Sequence, residues 1–308
     1  EPRLHRMLLY LHQYKKIIQE SSGFYQHYIS YLAQEFGDPD EPKKGIEVAK
    51  FINDEIQATQ RRMKLRNPPN HRAGYGLVIG RIQSGKTAHL LGLVSMALDP
   101  VETPAHYDTV IILSGLIDDL RKQTLGRFSS SFENYNGHAP LILPGEDSDL
   151  TDDDQETLEK ITQHLGSTDC EKNLVLIIKK NHIVLQHLLN SIPNSPILRR
   201  RRVLIIDDEA DHASIDTGHQ EENDYSDTGE VIDEDPNATN RLLRQIIKRF
   251  NDSLACWYIG YTATPFANLL SHPESSDIED QYGLSLHPRD MIQVLEKPPP
   301  HFDNEDYF

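Results

Sequence analysis

Cysteine is nearly absent from this chain of 308 residues. Cys170 and Cys256 stand far apart in unlike surroundings, which excludes a disulfide framework and a cysteine-based zinc site. Cys256, beside Trp257 in an apolar run, reads as core. Long apolar runs are missing as well: no stretch approaches the roughly 18 to 20 residues of a membrane span. The opening EPRLHRMLLYLHQYKK lacks the uninterrupted apolar segment and small-residue cleavage site of a signal peptide, so a cytoplasmic protein is expected. There is no internal repeat and no guanine-reading N-K-x-D motif. Asp40, Glu41 and Lys43 have the letters of a metal-dependent nuclease but are crowded into one loop, without the separated strands such a site needs.

Basic residues are in short supply, 31 against 48 acidic ones, for a formal net charge of −17. Such a balance sets an acidic surface against a polyanionic partner. The shortage is local, however. Residues 146 to 159 carry eight acids and residues 216 to 235 carry nine, without a Lys or Arg in either, so the remainder of the chain is formally neutral. Both stretches read as solvated acidic insertions, placed near 144–159 and 214–236.

What is present suits a soluble globular chain with one large core, or a large core and a smaller one. The sequence begins at a glutamate and ends in HFDNEDYF, which leads us to expect a piece of a longer protein. Residues 1 to 70 read as a small helical preface, with apolar residues at three- and four-residue spacing (Leu4, Met7, Leu8, Leu11, then Ile46, Ala49, Ile52, Ile56) broken by GDPDEP. The preface ends in RRMKLRNPPNHR, a basic, proline-broken segment that serves as a linker or as a strip facing phosphate.

From residue 71 onward short apolar runs alternate with helical stretches: YGLVIG, TVIILSG, LVLIIK, VLIID and ACWYIGYT. Five buried strands separated by helices predict an α/β fold, a parallel sheet with helices on both faces. In such sheets ligands gather at the carboxyl ends of the strands. The first run leads into GRIQSGKT, the phosphate-cradling pattern G-x-x-x-x-G-K-[ST], with strand before and helix after. Its glycines let backbone N–H groups turn onto phosphate oxygens, and the start of the following helix adds positive potential. Gly80, Gln83, Ser84, Gly85, Lys86, Thr87 and Ala88 are the expected ATP-binding residues, with Lys86 neutralising phosphate and the Thr87 hydroxyl on Mg²⁺.

The fourth run ends in DDEADHAS. A carboxylate at this strand end can hold the magnesium's water shell, and its neighbour can orient or deprotonate attacking water. Asp208 and Glu209 are taken for those roles, Asp207 being the alternative metal-side residue because it directly follows the apolar run. After the fifth run, GYTATPF offers Thr262 and Thr264 as hydroxyls that can bond the preceding carboxylates and relay the state of the γ-phosphate; Asp211 and His212 complete this coupling group. The second and third strand ends offer Arg121, Gln123 and Thr124, then Lys179, Lys180 and Asn181, as candidate contacts to a nucleic-acid backbone.

The segments GRIQSGKTAHLLGL, ILSGLIDDLRKQT, IIKKNHIVLQHLL, IIDDEADHASIDT and GYTATPFANLL, in this order, resemble the Z-one domain endonuclease family, bacterial proteins built around a superfamily two helicase-like ATPase. The similarity spans about residues 74 to 300. It implies a RecA-like first ATPase lobe, with ATP and Mg²⁺ as cofactors, DNA as partner and a place in restriction or phage defence. His212 stands where the family pattern has glutamine. Nothing after Phe266 is long enough for a second RecA-like lobe, so another lobe or partner protein is expected to complete the ATP site.

Overall fold

The computed structural model describes residues 23–37, 42–65, 72–81, 85–99, 106–132, 135, 139–150, 154–168, 172–212, 236–270 and 276–296. In chain order the elements are α1 (Phe24–Glu35), α2 (Pro42–Leu65), β1 (Gly74–Ile79), α3 (Lys86–Leu98), β2 (Thr109–Ser114), α4 (Asp118–Ser130), β3 (Leu141–Leu143), α5 (Gln155–Gly166), β4 (Leu174–Lys179), α6 (His182–Ser191), a 3₁₀ turn (Pro196–Arg200), β5 (Arg202–Asp207), α7 (Pro236–Arg249), β6 (Ala255–Thr262), α8 (Phe266–Leu270), α9 (Ser276–Tyr282) and β7 (Met291–Val294).

Among the described residues seven strands form one sheet in the order β3-β4-β2-β5-β6-β1-β7, every neighbouring pair parallel. The α/β fold expected from the alternating runs is therefore the one observed, with five strands where the sequence places them. The two additional strands are the edges. Three residues in β3 and four in β7 are too few to make a periodic signal, and β7 alternates buried Met291 and Gln293 with exposed Ile292 and Val294.

Strand side chains alternate between two apolar layers, as a sheet covered on both faces requires. Val110, Ile112, Val175, Ile177, Leu204, Ile206 and Ile259 enter one layer with residues of α1 to α4. Ile111, Leu113, Leu176, Ile178, Val203, Ile205 and Tyr258 enter the other with residues of α5 to α7. The helical preface thus shares a core with the sheet. It lies against α3, in which every residue from His89 to Leu98 is buried. At Gly92 an added Cβ would stand 2.2 Å from Ile56 Cδ1 and 2.8 Å from a Tyr28 ring carbon, so this approach needs glycine.

The basic segment between preface and sheet is partly spent on fixing the edge. Arg72 holds Asp290 through two hydrogen bonds of 2.8 Å each, Asp290 also accepts from the Tyr75 N–H, and Arg62 donates to the Ile292 carbonyl at 2.7 Å. Bidentate guanidinium–carboxylate contacts are the strong kind. Among the described residues no helix is long and apolar enough to cross a membrane.

Candidate nucleotide site

Because the sheet is parallel, the ends of β1, β6, β5, β2 and β4 line one edge, and every motif singled out above falls there. β6 is inserted between β1 and β5, so the strand carrying Thr262 separates the cradle from the carboxylates and touches both. The Gly80 N–H donates to the Thr262 carbonyl at 3.0 Å, and the Ala210 N–H donates to the Tyr261 carbonyl at 2.8 Å.

Gly85 caps α3 in the left-handed conformation, φ 77°, where a side chain would be strained. Among the described residues no side chain caps α3, and its first turn carries no acid, so its leading N–H groups keep their positive potential. Lys86 turns back over that loop, its Nζ donating to the Gly80 and Arg81 carbonyls at 3.1 Å each. Burial lowers the Lys86 pKa from its ordinary value, opposed by the nearby carboxylates of Asp208, Asp211 and Glu209. A cation held, among the described residues, only by carbonyls, beside a helix start that none of them caps, fits a phosphate. Thr87 and Ala88 are half-buried in the first turn of α3, while Gln83 and Ser84 lie outside the described residues.

The three consecutive carboxylates are placed unlike one another. Asp207 is fully buried, receiving Lys180 Nζ on one oxygen at 2.8 Å and the Tyr258 hydroxyl on the other at 2.6 Å. Both of its oxygens are engaged inside the protein. Asp208 is partly buried, and its pKa is pushed up to about 6 by desolvation, then by Glu209. A divalent cation would relieve that crowding. Among the described residues no group of three or more His, Cys, Asp or Glu could hold a metal. The donors suit Mg²⁺ held by one carboxylate, a hydroxyl, phosphate and water. Glu209 has φ 52°, uncommon for a residue with a side chain, and its carboxylate passes over Gly115 at the end of β2, 3.5 Å from where a Cβ would stand.

Thr262 and Thr264 meet the carboxylate the sequence suggested. Asp211 accepts from the Thr262 hydroxyl at 2.7 Å and from the Thr264 hydroxyl, and Thr262 Oγ1 accepts from the Thr264 N–H at 2.9 Å. These bonds hold the Asp211 pKa below the ordinary carboxylate value against the opposing effect of desolvation. His212 is exposed, with ring nitrogens 3.7 Å from Glu209 and 3.8 Å from Asp211.

At the β2 and β4 ends most of the suggested nucleic-acid contacts are buried or already engaged within the protein. Arg121 is buried, donating to the Gly145 and Glu146 carbonyls at 3.1 and 2.7 Å and to Asp118 at 2.9 Å. Lys180 is fully buried and, besides Asp207, holds the Asp208 and Glu209 carbonyls at 2.9 and 2.8 Å. Thr124 is buried. Asn181 caps α6, accepting from the Val184 N–H at 2.9 Å. Lys179 forms an ion pair with Asp149, whose other oxygen lies 3.7 Å from Arg121. Gln123 alone of the six is exposed. The physical reason is the first acidic segment, which is not the wholly solvated loop expected: residues 145 to 149 fold back over these cations, and Asp154 caps α5 by accepting from the Thr157 N–H. Of the second acidic segment, residues 216 to 235 lie outside the described residues.

The pairing of Lys180 with Asp207 escaped the sequence reading, as did Asn268 and His89. Lys180 shares strand parity with Ile178, and Asp207 with Ile205, so alternation alone places both on one face of the sheet. Asn268 donates to the Ala210 carbonyl at 3.0 Å. His89 is buried between Thr59 and Tyr261, and burial lowers its pKa to about 4, so the ring is neutral. Two residues past Thr87, it looks from sequence like ordinary helix filler.

No protein-family model matches the chain. No curated protein matches it either. Among solved structures, a crystal structure of FtsY from Mycoplasma mycoides is similar at 16% identity and a TM-score of 0.23, over 64% of this chain and 64% of that one. The chain therefore spans less than two thirds of FtsY's length, and its fold is assigned from its own sheet.

Proposed function

We propose that this chain binds and hydrolyses ATP with Mg²⁺, as the first RecA-like lobe of a superfamily two type DNA-dependent ATPase serving a restriction or phage-defence endonuclease. The observation that carries the ATPase reading is Lys86, folded onto its own loop carbonyls at an uncapped helix start within range of Asp208, Asp211 and Glu209. Gly80 to Thr87 hold the phosphates through backbone N–H groups and Lys86. Thr87 and Asp208 hold Mg²⁺, Asp208 rather than Asp207 because both Asp207 oxygens are already engaged. The metal supplies charge neutralisation at the transferring phosphoryl group. Glu209 orients the attacking water and accepts its proton. Thr262 and Thr264 read the position of Asp211 and pass it along β6. ATP as the nucleotide comes from the family resemblance, the residues themselves carrying no base-reading motif. DNA, and a second lobe or partner supplying an arginine finger, come from the family resemblance.

Lys86→Ala is expected to abolish ATP binding with the fold intact; unchanged nucleotide affinity in that variant sinks the reading. Turnover measured with and without single- and double-stranded DNA, with Glu209→Gln as control, tests the DNA dependence.

A second reading, a nucleotide-gated switch acting through a protein partner, is favoured by the β2 and β4 ends. Their cations are internally paired, while Ile117 and Ile183 stand exposed there. DNA affinity that falls steeply with salt would speak against the switch, because counterion release needs several phosphate contacts.

A further inference from the structure

Beyond the motif residues, one buried polar chain joins the cradle helix to the elements on either side of it. Thr59 of α2, His89 of α3 and Tyr261 of β6 are all fully buried. The directions of their bonds follow from one constraint. Thr59 gives its hydroxyl proton to the Glu55 carbonyl at 3.2 Å, so its oxygen is left to accept from His89 Nε2, 3.1 Å away. With the ring proton on Nε2, Nδ1 is the acceptor, and the Tyr261 hydroxyl donates to it at 2.9 Å. The chain runs in one direction, from the strand residue preceding Thr262, through the first turn of α3, into the preface.

Two independent contacts converge on the same turn. The Tyr28 hydroxyl of α1 donates to the Ala88 carbonyl at 2.7 Å, and Ile52 Cδ1 lies 3.0 Å from where a Cβ on Gly85 would stand. The preface therefore touches Gly85, Ala88 and His89, the residues flanking Lys86 and Thr87. Buried bonds of this kind have discrete made and broken states, so a shift of α3 relative to β6 must be felt in α2.

We infer that His89 is a positioning residue, which with Thr59 and Tyr261 sets the start of α3 against β6 and makes the helical preface energetically coupled to the nucleotide at the cradle. The inference rests on the reading of Gly80 to Thr87 as an ATP site. By linkage, whatever the preface contributes to the nucleotide-bound arrangement is lost from nucleotide affinity when the chain of bonds is cut.

The test uses the full chain and a fluorescent ATP analogue with Mg²⁺, with thermal unfolding measured in parallel. Wild type must bind first; no binding overturns the ATP reading itself. Given binding, Thr59→Val and Tyr261→Phe are each expected to weaken it about fivefold, the size of effect one buried hydrogen bond carries. Thr59→Ser restores affinity to within about twofold, a rescue that a packing role would not show. The double variant should be little weaker than either single one, because both act through the orientation of one ring. Unchanged affinity in both single variants, or a double effect equal to the product of the two, overturns the coupling while leaving the ATP site standing. Should a variant fail to fold, hydrogen exchange on wild type decides. Mg·ATP is expected to change protection of the amides around Glu55 to Thr59, and no change there overturns the inference.

Discussion

The two halves of the carboxyl edge carry similar residues put to opposite use. On the β4–β2–β5 side, Arg121, Lys179 and Lys180 are each met by protein carboxylates or carbonyls, and Asp207 is held by two donors. On the β6–β1 side, Lys86 has, among the described residues, only the carbonyls of Gly80 and Arg81, and none of them caps α3 with its side chain. Asp208, at the boundary, keeps a raised pKa of about 6 in a crowd of acids. A lysine after an apolar run is thus no pointer to a ligand. What distinguishes the half proposed to face the nucleotide is that its charges are less fully answered by the described residues.

Substitutions can break this contrast. The largest effect belongs to Lys180→Met, which strands the buried Asp207 and should cost about 3–5 kcal/mol in denaturant unfolding. Arg121→Leu should follow at about 2–3 kcal/mol, since it removes the bonds of a buried guanidinium to two carbonyls and a carboxylate, and the DNA affinity of the folded fraction should stay unchanged. Asp208→Asn should act in the other direction. A carboxyl whose folded pKa lies above its ordinary 3.8 favours folding in its protonated form and costs stability as pH rises towards about 6. The variant should therefore unfold later than wild type above that pH, by about 1–2 kcal/mol, with no gain near pH 3. Lys86→Ala should leave stability within about 1 kcal/mol, the mirror image of Lys180. Smallest is Gln123→Ala, where an exposed side chain predicts a change in stability below about 0.5 kcal/mol. A change in DNA binding there would identify Gln123 as the one suggested contact on this side that reaches a ligand.

Where sequence and structure agree, the signal was periodic or local. Continuous apolar runs located five of the seven described strands, and the glycine-lysine-threonine spacing located the start of α3, because both depend on neighbours along the chain. The pairing of Thr262 and Thr264 with Asp211 was also legible, once parallel strands were expected to bring their ends together. Partner choice across the sheet was less so. Arg121 and Lys179 read as free cations because the loop that neutralises them arrives from residues 145 to 149, and nothing nearby in the sequence announces the return. The preface read as a separate unit, since helical periodicity says which face is apolar and not what it meets.

The helix that follows the cradle is apolar on all sides, between sheet and preface, with Gly92 thinned to admit Ile56 and Tyr28. Such a helix has no water-tolerant face to show while the chain is being made. On the ribosome α1 and α2 emerge before it, so its cover is already outside the tunnel when it appears. Inheritance should follow the same logic: a fusion that carried the sheet away from its preface would hand on the proposed nucleotide site with a greasy flank, so the two are expected to travel through evolution as one piece.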